Sequence, residues 1–255
     1  MPKFDWDALG GIARLAGQAI MAVYATEFTV EHKADDSPVT QADRAANQVI
    51  VDSLTALHPD IPILSEESAQ AGYAERKAWK RFWLVDPMDG TKEFVARNGE
   101  FTVNIALVEG RRPVFGVVYL PVTDVLYAGG AAYGSLRRQG GGAAVPIHGA
   151  RPAPGEPLVV VKSRSHPDAR LAAWLERFPV RREVTAGSSL KFCLVAEGAA
   201  HCYPRFNPTW ERDTAAGQAV IEGAGGTFTA MGGGEFLYNK ENLVNGGFEA
   251  QSWKG

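Results

Sequence analysis

The chain has 255 residues, of which 45% are apolar and 22% are charged, a balance typical of an ordinary globular protein. Its 29 acidic and 26 basic residues leave a net charge of -3, which argues against nucleic acid or an anionic membrane surface as the partner. Two cysteines are too few for a secreted disulfide framework, and no signal-peptide pattern or apolar run of about 18 residues, as a transmembrane helix needs, is present. We therefore expect a cytoplasmic protein with reduced cysteines.

Two amphipathic helices are predicted at the start of the chain. Apolar residues recur at helical spacing over residues 7–27 and again from Gln41 to Leu57. The polar run between them, from Lys33 to Thr40, contains Pro38 and clustered Asp and Ser residues, so we predict a loop there.

Short apolar runs predict the strands of a first sheet. The runs from Ile61 to Leu64 and from Phe82 to Val85 are each followed directly by acidic residues. Further strands, separated by Gly or Pro, predict an antiparallel meander, then a hairpin and a linker. These strands are expected at residues 102–108, 114–120 and 125–128, and the linker at residues 149–157.

Predicted strands and helices alternate in the second half of the chain, as in an α/β fold. The strands are expected at residues 158–161 and 201–203, and the helices at residues 167–178, 188–197 and 213–223. We therefore divide the chain into an α+β half, residues 1–148, and an α/β half, residues 149–255.

The hexapeptide from Asp86 to Thr91 is the first candidate site. Pro87 lacks the N–H needed to continue the strand, so we expect Asp86 at the strand end and Asp89 one tight turn later. Two carboxylates this close repel each other unless a cation joins them, and oxygen ligands suit Mg²⁺. The backbone N–H groups of Gly90 and Thr91, at the start of a short helix, would face a phosphate. The alternative is a capped surface turn.

Other acidic residues have both a structural and a functional interpretation. Glu66 and Glu67 follow a strand and are either a solvated face or part of the same site. Asp43 and Asp213 stand near predicted helix starts, where an acidic residue is often only a helix cap. Because two predicted strands are each followed by a pair of acidic residues, we favour the functional interpretation, in which these residues form one site.

Together these segments resemble the inositol monophosphatase superfamily of Mg²⁺-dependent, lithium-sensitive phosphatases. The segment Asp86–Thr91 matches the signature Asp-Pro-(Ile/Leu)-Asp-Gly-Thr, and Glu66–Ser68 matches Glu-Glu-Ser. Asp213–Gly217 matches the downstream signature Trp-Asp-x-Ala-(Ala/Gly) from its Asp onward. The resemblance implies a layered αβαβα sandwich of the inositol monophosphatase/fructose-1,6-bisphosphatase type. In that fold the first half carries most metal ligands, and the second contributes Asp213 and most of the substrate pocket.

Within the superfamily, the sequence is most similar to the 3′(2′),5′-bisphosphate nucleotidase branch of the CysQ type. The similar segments are Asp35–Asp43, Gly90–Phe94, Asn98–Ala106, Gly187–Cys193 and Tyr203–Phe206. The resemblance implies hydrolysis of adenosine 3′,5′-bisphosphate, a by-product of sulfate activation, to AMP and phosphate. The resemblance also allows two further features: assembly as a homodimer, and, for the cytoplasmic protein, a peripheral position at the inner face of the membrane.

Two rival functions stay open at this point. One is hydrolysis of inositol phosphates or of fructose 1,6-bisphosphate, against which the segments Lys92–Phe94 and Ser188–Lys191 favour the nucleotide. The other is a non-catalytic regulator that binds a phosphorylated ligand, against which the complete set of acidic residues argues.

The resemblance also implies roles for individual residues. Asp86 would bridge two Mg²⁺ ions, with Glu66 and the Met88 carbonyl on the first and Asp89 and Asp213 on the second; a third, weaker ion is expected near Glu66. The residues implied to orient and deprotonate the attacking water are Asp43 and Thr91, with Glu67 as a further catalytic candidate. The residues implied to contact substrate are Glu66, Met88, Asp89, Gly90, Thr91, His166, Ser189, Lys191, Arg205 and Asp213.

Two positions depart from the superfamily pattern. Met88 replaces the usual Ile or Leu, a mild change if only its carbonyl binds metal. Arg212 stands directly before Asp213 where the superfamily usually has Trp, and Trp210 lies two positions earlier. Arg212 would either pair with a substrate phosphate or loosen the packing that orients Asp213.

Overall fold

The computed structural model describes residues 5–32, 38–68 and 71–254. The helices are α1 (Trp6–Tyr24), α2 (Gln41–Leu57), α3 (Tyr73–Arg76), α4 (Thr91–Val95), α5 (Ala169–Leu175), α6 (Leu190–Ala196) and α7 (Glu211–Gly223). The strands are β1 (Glu31–His32), β2 (Pro38–Val39), β3 (Ile63–Ser65), β4 (Arg81–Asp89), β5 (Thr102–Glu109), β6 (Arg112–Leu120), β7 (Val125–Gly130), β8 (Gly134–Gln139), β9 (Ala144–Ile147), β10 (Leu158–Ser163), β11 (Val180–Ala186), β12 (Cys202–Arg205), β13 (Thr209–Trp210), β14 (Thr227–Ala230), β15 (Val244–Asn245) and β16 (Phe248–Gln251).

These elements form five layers. The apolar faces of α1 and α2 pack on one face of a seven-stranded sheet, β3 to β9. The other face of that sheet packs against α6 and α7, which are covered in turn by a five-stranded sheet. Trp174 of α5 packs on the far side of this second sheet, against Leu158 and Val160 of β10. The expected αβαβα sandwich is confirmed.

The seven-stranded sheet brings acidic residues from two neighbouring strand segments together. Its strands run antiparallel from β4 to β9, as the predicted meander required, but β3 runs parallel to β4. Ser65 pairs in register with Val85, so the residues that follow each, Glu66 and Asp86, emerge at the same edge of the sheet.

The expected strand end at Asp86 is wrong. β4 continues to Asp89, which pairs with Thr102, and the register shifts between Asp86 and Asp89. Because Pro87 has no N–H, the ladder with β5 is interrupted there while the backbone stays extended. Asp86 and Asp89 therefore lie on one irregular strand, without the tight turn that the sequence suggested.

Two glycines, Gly116 and Gly217, allow helix α7 to pack closely against its neighbours between the two sheets. A Cβ added at Gly116 of β6 would clash with the backbone of Ala216, and one at Gly217 would clash with the ring of Phe192 in α6. The helix therefore rests directly on β6 and α6. This packing sets the position of Asp213, the third residue of α7.

The five-stranded sheet has the order β11-β10-β12-β16-β14. Its first three strands are parallel, as an α/β half requires, and the last two pairings are antiparallel. The sequence did not predict β11, β14 or β16. The helix predicted at residues 167–178 is shorter, since Asp168 caps its start and α5 ends at Leu175.

The chain passes from one sheet to the other between Ile147 and Leu158, where the linker was predicted. Part of the predicted loop, residues 33–37, lies outside the described residues. At its end the loop prediction is wrong, because Pro38–Val39 pairs with Glu31–His32 as a two-stranded antiparallel ribbon. Across the described ranges, no helix is long and apolar enough to cross a bilayer.

Candidate active site

One pocket collects most of the predicted site residues. It opens where β3, β4 and the start of α7 meet the second sheet. The predicted residues that line it are Glu66, Asp86, Met88, Asp89, Gly90, Thr91, His166, Lys191, Arg205 and Asp213. The other predicted residues, Asp43, Glu67 and Ser189, do not line it.

Four carboxylates form what we call the acidic cluster: Glu66, Asp86, Asp89 and Asp213. Burial raises the pKa of Asp86 well above its ordinary value of 3.8, and the charges of Glu66, Asp89 and Asp213 raise it further. Burial and then the charge of Asp89 raise the pKa of Asp213 from 3.8 to about 7. The cluster therefore holds more negative charge than the protein alone neutralises.

The donor atoms of this cluster fit a hard divalent cation. All are carboxylate oxygens, the ligand type that Mg²⁺ prefers. The Met88 side chain is buried, with 1% of its surface exposed, so only its backbone is available to an ion. Nevertheless, within residues 5–32, 38–68 and 71–254, no three acidic, His or Cys side chains converge closely enough to enclose an ion as they stand.

A guanidinium lies among these carboxylates instead. Arg212 Nη2 donates to Glu66 Oε1 at 3.0 Å, and Nε lies 3.9 Å from both Asp86 Oδ2 and Asp213 Oδ1. Nε is buried and makes no hydrogen bond. These contacts with the acidic cluster were in neither expectation for Arg212, and its pairing with a substrate phosphate stays a prediction.

Asp89 is held by hydroxyl groups from the second half of the chain. Ser188 Oγ lies 2.7 Å from Asp89 Oδ2, and Ser189 Oγ donates to the same oxygen at 3.0 Å. Asn104 Nδ2 donates to Ser189 Oγ at 2.8 Å, and Thr102 Oγ1 lies 2.5 Å from Ser188 Oγ. This network orients Asp89 in the way that outer partners orient metal ligands.

The sequence reasoning missed Thr102, Asn104 and Ser188 as part of the site. Two polar residues at alternate positions of an otherwise apolar strand, Thr102-Val-Asn104, were an available signal. Ser188 adopts a φ of 47°, in the left-handed region that few non-glycine residues occupy, and this turn aims its hydroxyl at Asp89.

Asp43 caps a helix and also contacts Thr91, which lines the pocket. Its Oδ2 accepts from the Thr40 backbone N–H at 2.7 Å and from Thr40 Oγ1 at 2.8 Å, which completes a capping box. Its Oδ1 accepts from Thr91 Oγ1 at 3.4 Å. Burial raises the pKa of Asp43 from 3.8 to about 6, and the charges of Glu67 and Glu66 add to this. The two interpretations of Asp43 are thus compatible.

Gly90, between Asp89 and Thr91, has a φ of 94°. A Cβ at this position would also press on Ser188 Cβ, at 3.1 Å. Glycine is required here for both reasons, since L residues rarely adopt this backbone conformation.

Two cations from the second half of the chain line the same pocket, and we call Lys191 and Arg205 the cationic pair. Both are buried, with 6% and 8% of their surface exposed. Lys191 Nζ donates to the Ser188 carbonyl at 2.5 Å and lies 5.5 Å from the centre of the Tyr203 ring. Burial lowers the pKa of Lys191 from 10.5 to about 8.

His166 lines the pocket beside this pair. Burial, and then the positive charge of Arg205, lower its pKa from 6.5 to about 4. It is therefore neutral at pH 7 and able to donate one hydrogen bond and accept another. The pocket as a whole combines an anionic region, suited to a divalent cation, with a cationic region suited to an anion.

The comparisons with known proteins extend over nearly the whole chain. The inositol monophosphatase family model matches residues 7–254. The chain is 50% identical over 247 residues to the 3′(2′),5′-bisphosphate nucleotidase CysQ of Escherichia coli O157:H7, covering 95% of this chain and 97% of that protein. It is 42% identical over 252 residues to the protein of that name from Buchnera aphidicola, covering 96% and 93%.

The chain also resembles solved structures of inositol monophosphatase-family proteins. The crystal structure of CysQ from Bacteroides thetaiotaomicron, a bacterial member of the inositol monophosphatase family, matches with a TM-score of 0.85 at 37% identity over 99% of each chain. An IMPase from Thermotoga maritima matches with a TM-score of 0.80 at 26% identity, covering 96% of this chain and 91% of that one. The chain belongs to the inositol monophosphatase family.

Proposed function

We propose that this protein is a Mg²⁺-dependent 3′(2′),5′-bisphosphate nucleotidase that hydrolyses adenosine 3′,5′-bisphosphate to AMP and phosphate. The observation that carries the proposal is the presence of the acidic cluster and the cationic pair in one pocket. In a bisphosphate, one phosphate would bind the metal ions held by the acidic cluster, and the other would bind the cationic pair. The relatives named CysQ support the same substrate, and family membership supports a metal-dependent phosphatase.

We assign two ions to the acidic cluster. Glu66, Asp86 and the Met88 carbonyl would hold one, and Asp86, Asp89 and Asp213 the other, with a weaker third ion near Glu66. When bound, Mg²⁺ would supply positive charge against the phosphate oxygens and lower the pKa of the attacking water. The excess of buried negative charge in the cluster, seen in the raised pKa of Asp86 and Asp213, supports this assignment.

Asp43 and Thr91 would handle the proton of the attacking water. Thr91 Oγ1 accepts the proton from water while its own proton passes to Asp43, along the hydrogen bond that already joins the two side chains. With a pKa near 6, Asp43 is mostly ionised at neutral pH and can accept it. Glu67 contributes by its negative charge, which raises the pKa of Asp43.

The reacting phosphate would lie next to Gly90 and Thr91. The first N–H groups of α4 have no partner within the helix, and N–H groups in this position commonly donate to phosphate oxygens. In-line attack then requires the water on the side of the phosphate that faces Asp43 and Thr91, because Thr91 takes the proton of that water.

The second phosphate would bind the cationic pair. Arg205 offers several donors in a planar arrangement, Lys191 adds a point charge, and neutral His166 adds one hydrogen bond. An inositol monophosphate carries no second phosphate and would leave the cationic pair without a phosphate to bind. The regulator alternative finds no support in a pocket that keeps four carboxylates beside a proton acceptor.

The test is phosphate release with Mg²⁺ from adenosine 3′,5′-bisphosphate, inositol 1-phosphate and fructose 1,6-bisphosphate, each with and without lithium. We expect a strong preference for the nucleotide and loss of turnover with lithium. A preference for inositol or sugar phosphate would contradict the substrate assignment while retaining the metal site. No turnover of any of the three would favour the regulator. The homodimer and the cytoplasmic location stay predictions.

A further inference from the structure

Arg212 competes for the same oxygen atoms that the proposed metal ions need. It is the second residue of α7 and directly precedes Asp213. Its guanidinium donates to Glu66 at 3.0 Å and lies 3.9 Å from Asp86 and from Asp213. Only 14% of the side chain is exposed. It therefore contacts or approaches three members of the acidic cluster from within the site.

A guanidinium and a Mg²⁺ ion place incompatible demands on these carboxylates. Mg²⁺ binds oxygen atoms at about 2.1 Å and demands near-octahedral geometry, which draws the ligands together. A guanidinium is larger and holds carboxylates apart, at distances such as the 3.0 Å to Glu66. Two cations in the same place would also repel each other across a buried, low-dielectric region.

The side chain has a second contact, at the edge of the pocket. The Arg212 guanidinium carbon lies 4.7 Å from the centre of the Trp210 ring, within cation–π range. Trp210 is 38% exposed and lines the same pocket. The guanidinium makes this ring contact together with its carboxylate contacts, and the exposed ring would stay available to it after displacement.

We propose that Arg212 is an internal counter-ion of the acidic cluster, which a divalent cation must displace in order to bind. It would lower the affinity of the site for Mg²⁺ and stabilise the carboxylates when no ion is bound. The proposal depends on the metal site of the proposed function. It adds a residue of this chain that tunes the site without ligating the ion.

The test is titration of Mg²⁺ into the protein by calorimetry, without substrate, for the wild type and Arg212→Met. We expect the Mg²⁺ dissociation constant of Arg212→Met to be about tenfold lower, because the ion no longer displaces a cation. We also expect the metal-free variant to unfold at a lower temperature than the wild type, since Glu66, Asp86 and Asp213 then lose the cation that lies among them.

A matched control is Arg14→Met. Arg14 is also partly buried, pairs with Asp124 at 3.2 Å and lies 5.9 Å from the centre of the Tyr119 ring. It makes the same kinds of contact as Arg212 but lies outside the pocket. Its substitution should leave the Mg²⁺ dissociation constant unchanged, which separates a local effect from a general loss of positive charge.

An unchanged or weaker Mg²⁺ affinity in Arg212→Met would overturn the proposal. If that variant does not fold, Arg212→Lys provides the same comparison, with a smaller gain expected because the charge is kept but the planar guanidinium is lost. A crystal structure of the wild type with bound Mg²⁺ gives an independent readout: the Arg212–Glu66 hydrogen bond should be broken, and an intact bond would also overturn the proposal. If the wild type binds no Mg²⁺ at all, the metal site of the proposed function is wrong as well, an outcome distinct from a failure of Arg212 alone.

Discussion

The acidic cluster and the cationic pair reach the same pocket by different routes. Glu66 directly follows β3, and Asp86 and Asp89 both lie on β4, so pairing of β3 with β4 is enough to bring them together. Lys191 belongs to α6 and Arg205 to β12, and they meet the acidic residues only because two sheets pack on the same pair of helices. Pairing of neighbouring strands therefore assembles the proposed reaction centre, and packing between the layers positions the residues proposed to select the substrate.

The largest effect is expected from a change in the acidic cluster. Asp89→Asn keeps the shape of the side chain and an oxygen to accept the Ser188 hydrogen bond, but removes a charge from the proposed second metal site. We expect kcat to fall about 100- to 1000-fold with the melting temperature maintained. Asp52→Asn, an exposed position on α2, is the matched control. Normal turnover by folded Asp89→Asn would contradict the assignment of two metal ions.

A change in the cationic pair should alter selectivity instead. Lys191→Met keeps a long apolar stem over Tyr203 but removes the charge proposed for the second phosphate. We expect kcat/KM for adenosine 3′,5′-bisphosphate to fall about tenfold more than kcat/KM for adenosine 3′-monophosphate, which lacks that phosphate. Lys80→Met, at the opposite end of β4 from the site, is the control. Equal losses for both substrates would remove Lys191 from the second phosphate site.

The raised pKa of Asp213 predicts how metal binding depends on pH. Between its ordinary pKa of 3.8 and about 7, the folded protein keeps a proton on Asp213 that the unfolded chain has lost. The protonated Asp213 carboxyl therefore adds to the stability of the metal-free folded protein at lower pH, and this stabilisation is lost as the pH rises through about 7. Mg²⁺ requires the ionised form, so its stabilising effect should grow over the same range.

The measurement is the rise in melting temperature on adding Mg²⁺, compared between about pH 5.5 and about pH 8. We expect a rise several degrees larger at the higher pH. The variant Asp213→Asn should lose this dependence on pH together with much of the rise itself. An identical rise at both pH values in the wild type would mean that Asp213 does not bind the ion.

The smallest effect is expected at Met88, whose side chain points away from both regions of the pocket into the core. Met88→Leu conserves volume and keeps the backbone carbonyl, so kcat/KM should change less than about twofold and the stability by less than about 1.5 kcal/mol. Steady-state kinetics and a thermal melt check this. A tenfold loss of activity with the fold intact would show that the Met88 side chain acts in the site.

The local part of the structure was predictable from the sequence. Helix α2 begins and ends where its apolar period predicts, at Gln41 and Leu57, and the structure adds a Thr40–Asp43 capping box at its start. The apolar runs before Glu66 and Asp86 predicted that these residues belong to one site, and pairing of β3 with β4 brings them to the same pocket, although Asp86 is buried within β4.

What could not be predicted depends on contacts distant in sequence. Strands β14 and β16 have four residues each and are defined by their pairing with each other and with β12. Strand β11 exposes Arg181, Arg182 and Glu183 at the edge of its sheet, so no alternating apolar pattern reveals it. Likewise, Ser189 was implied to contact substrate, and the structure adds a role that spacing alone did not suggest, as a donor to Asp89. Its contact with substrate stays a prediction.

The hydrogen bonds from Ser188 and Ser189 to Asp89 have a consequence for how the protein folds. They join residues that are 99 and 100 positions apart, and the bond from Asn104 to Ser189 spans 85. Contacts of such separation form slowly, because a long loop must close before they contribute. Asp89 therefore reaches its final orientation only after β5 of the first sheet and the turn before α6 have met. A nascent chain released before residue 188 would carry three members of the acidic cluster but would lack the two hydroxyl groups that orient Asp89.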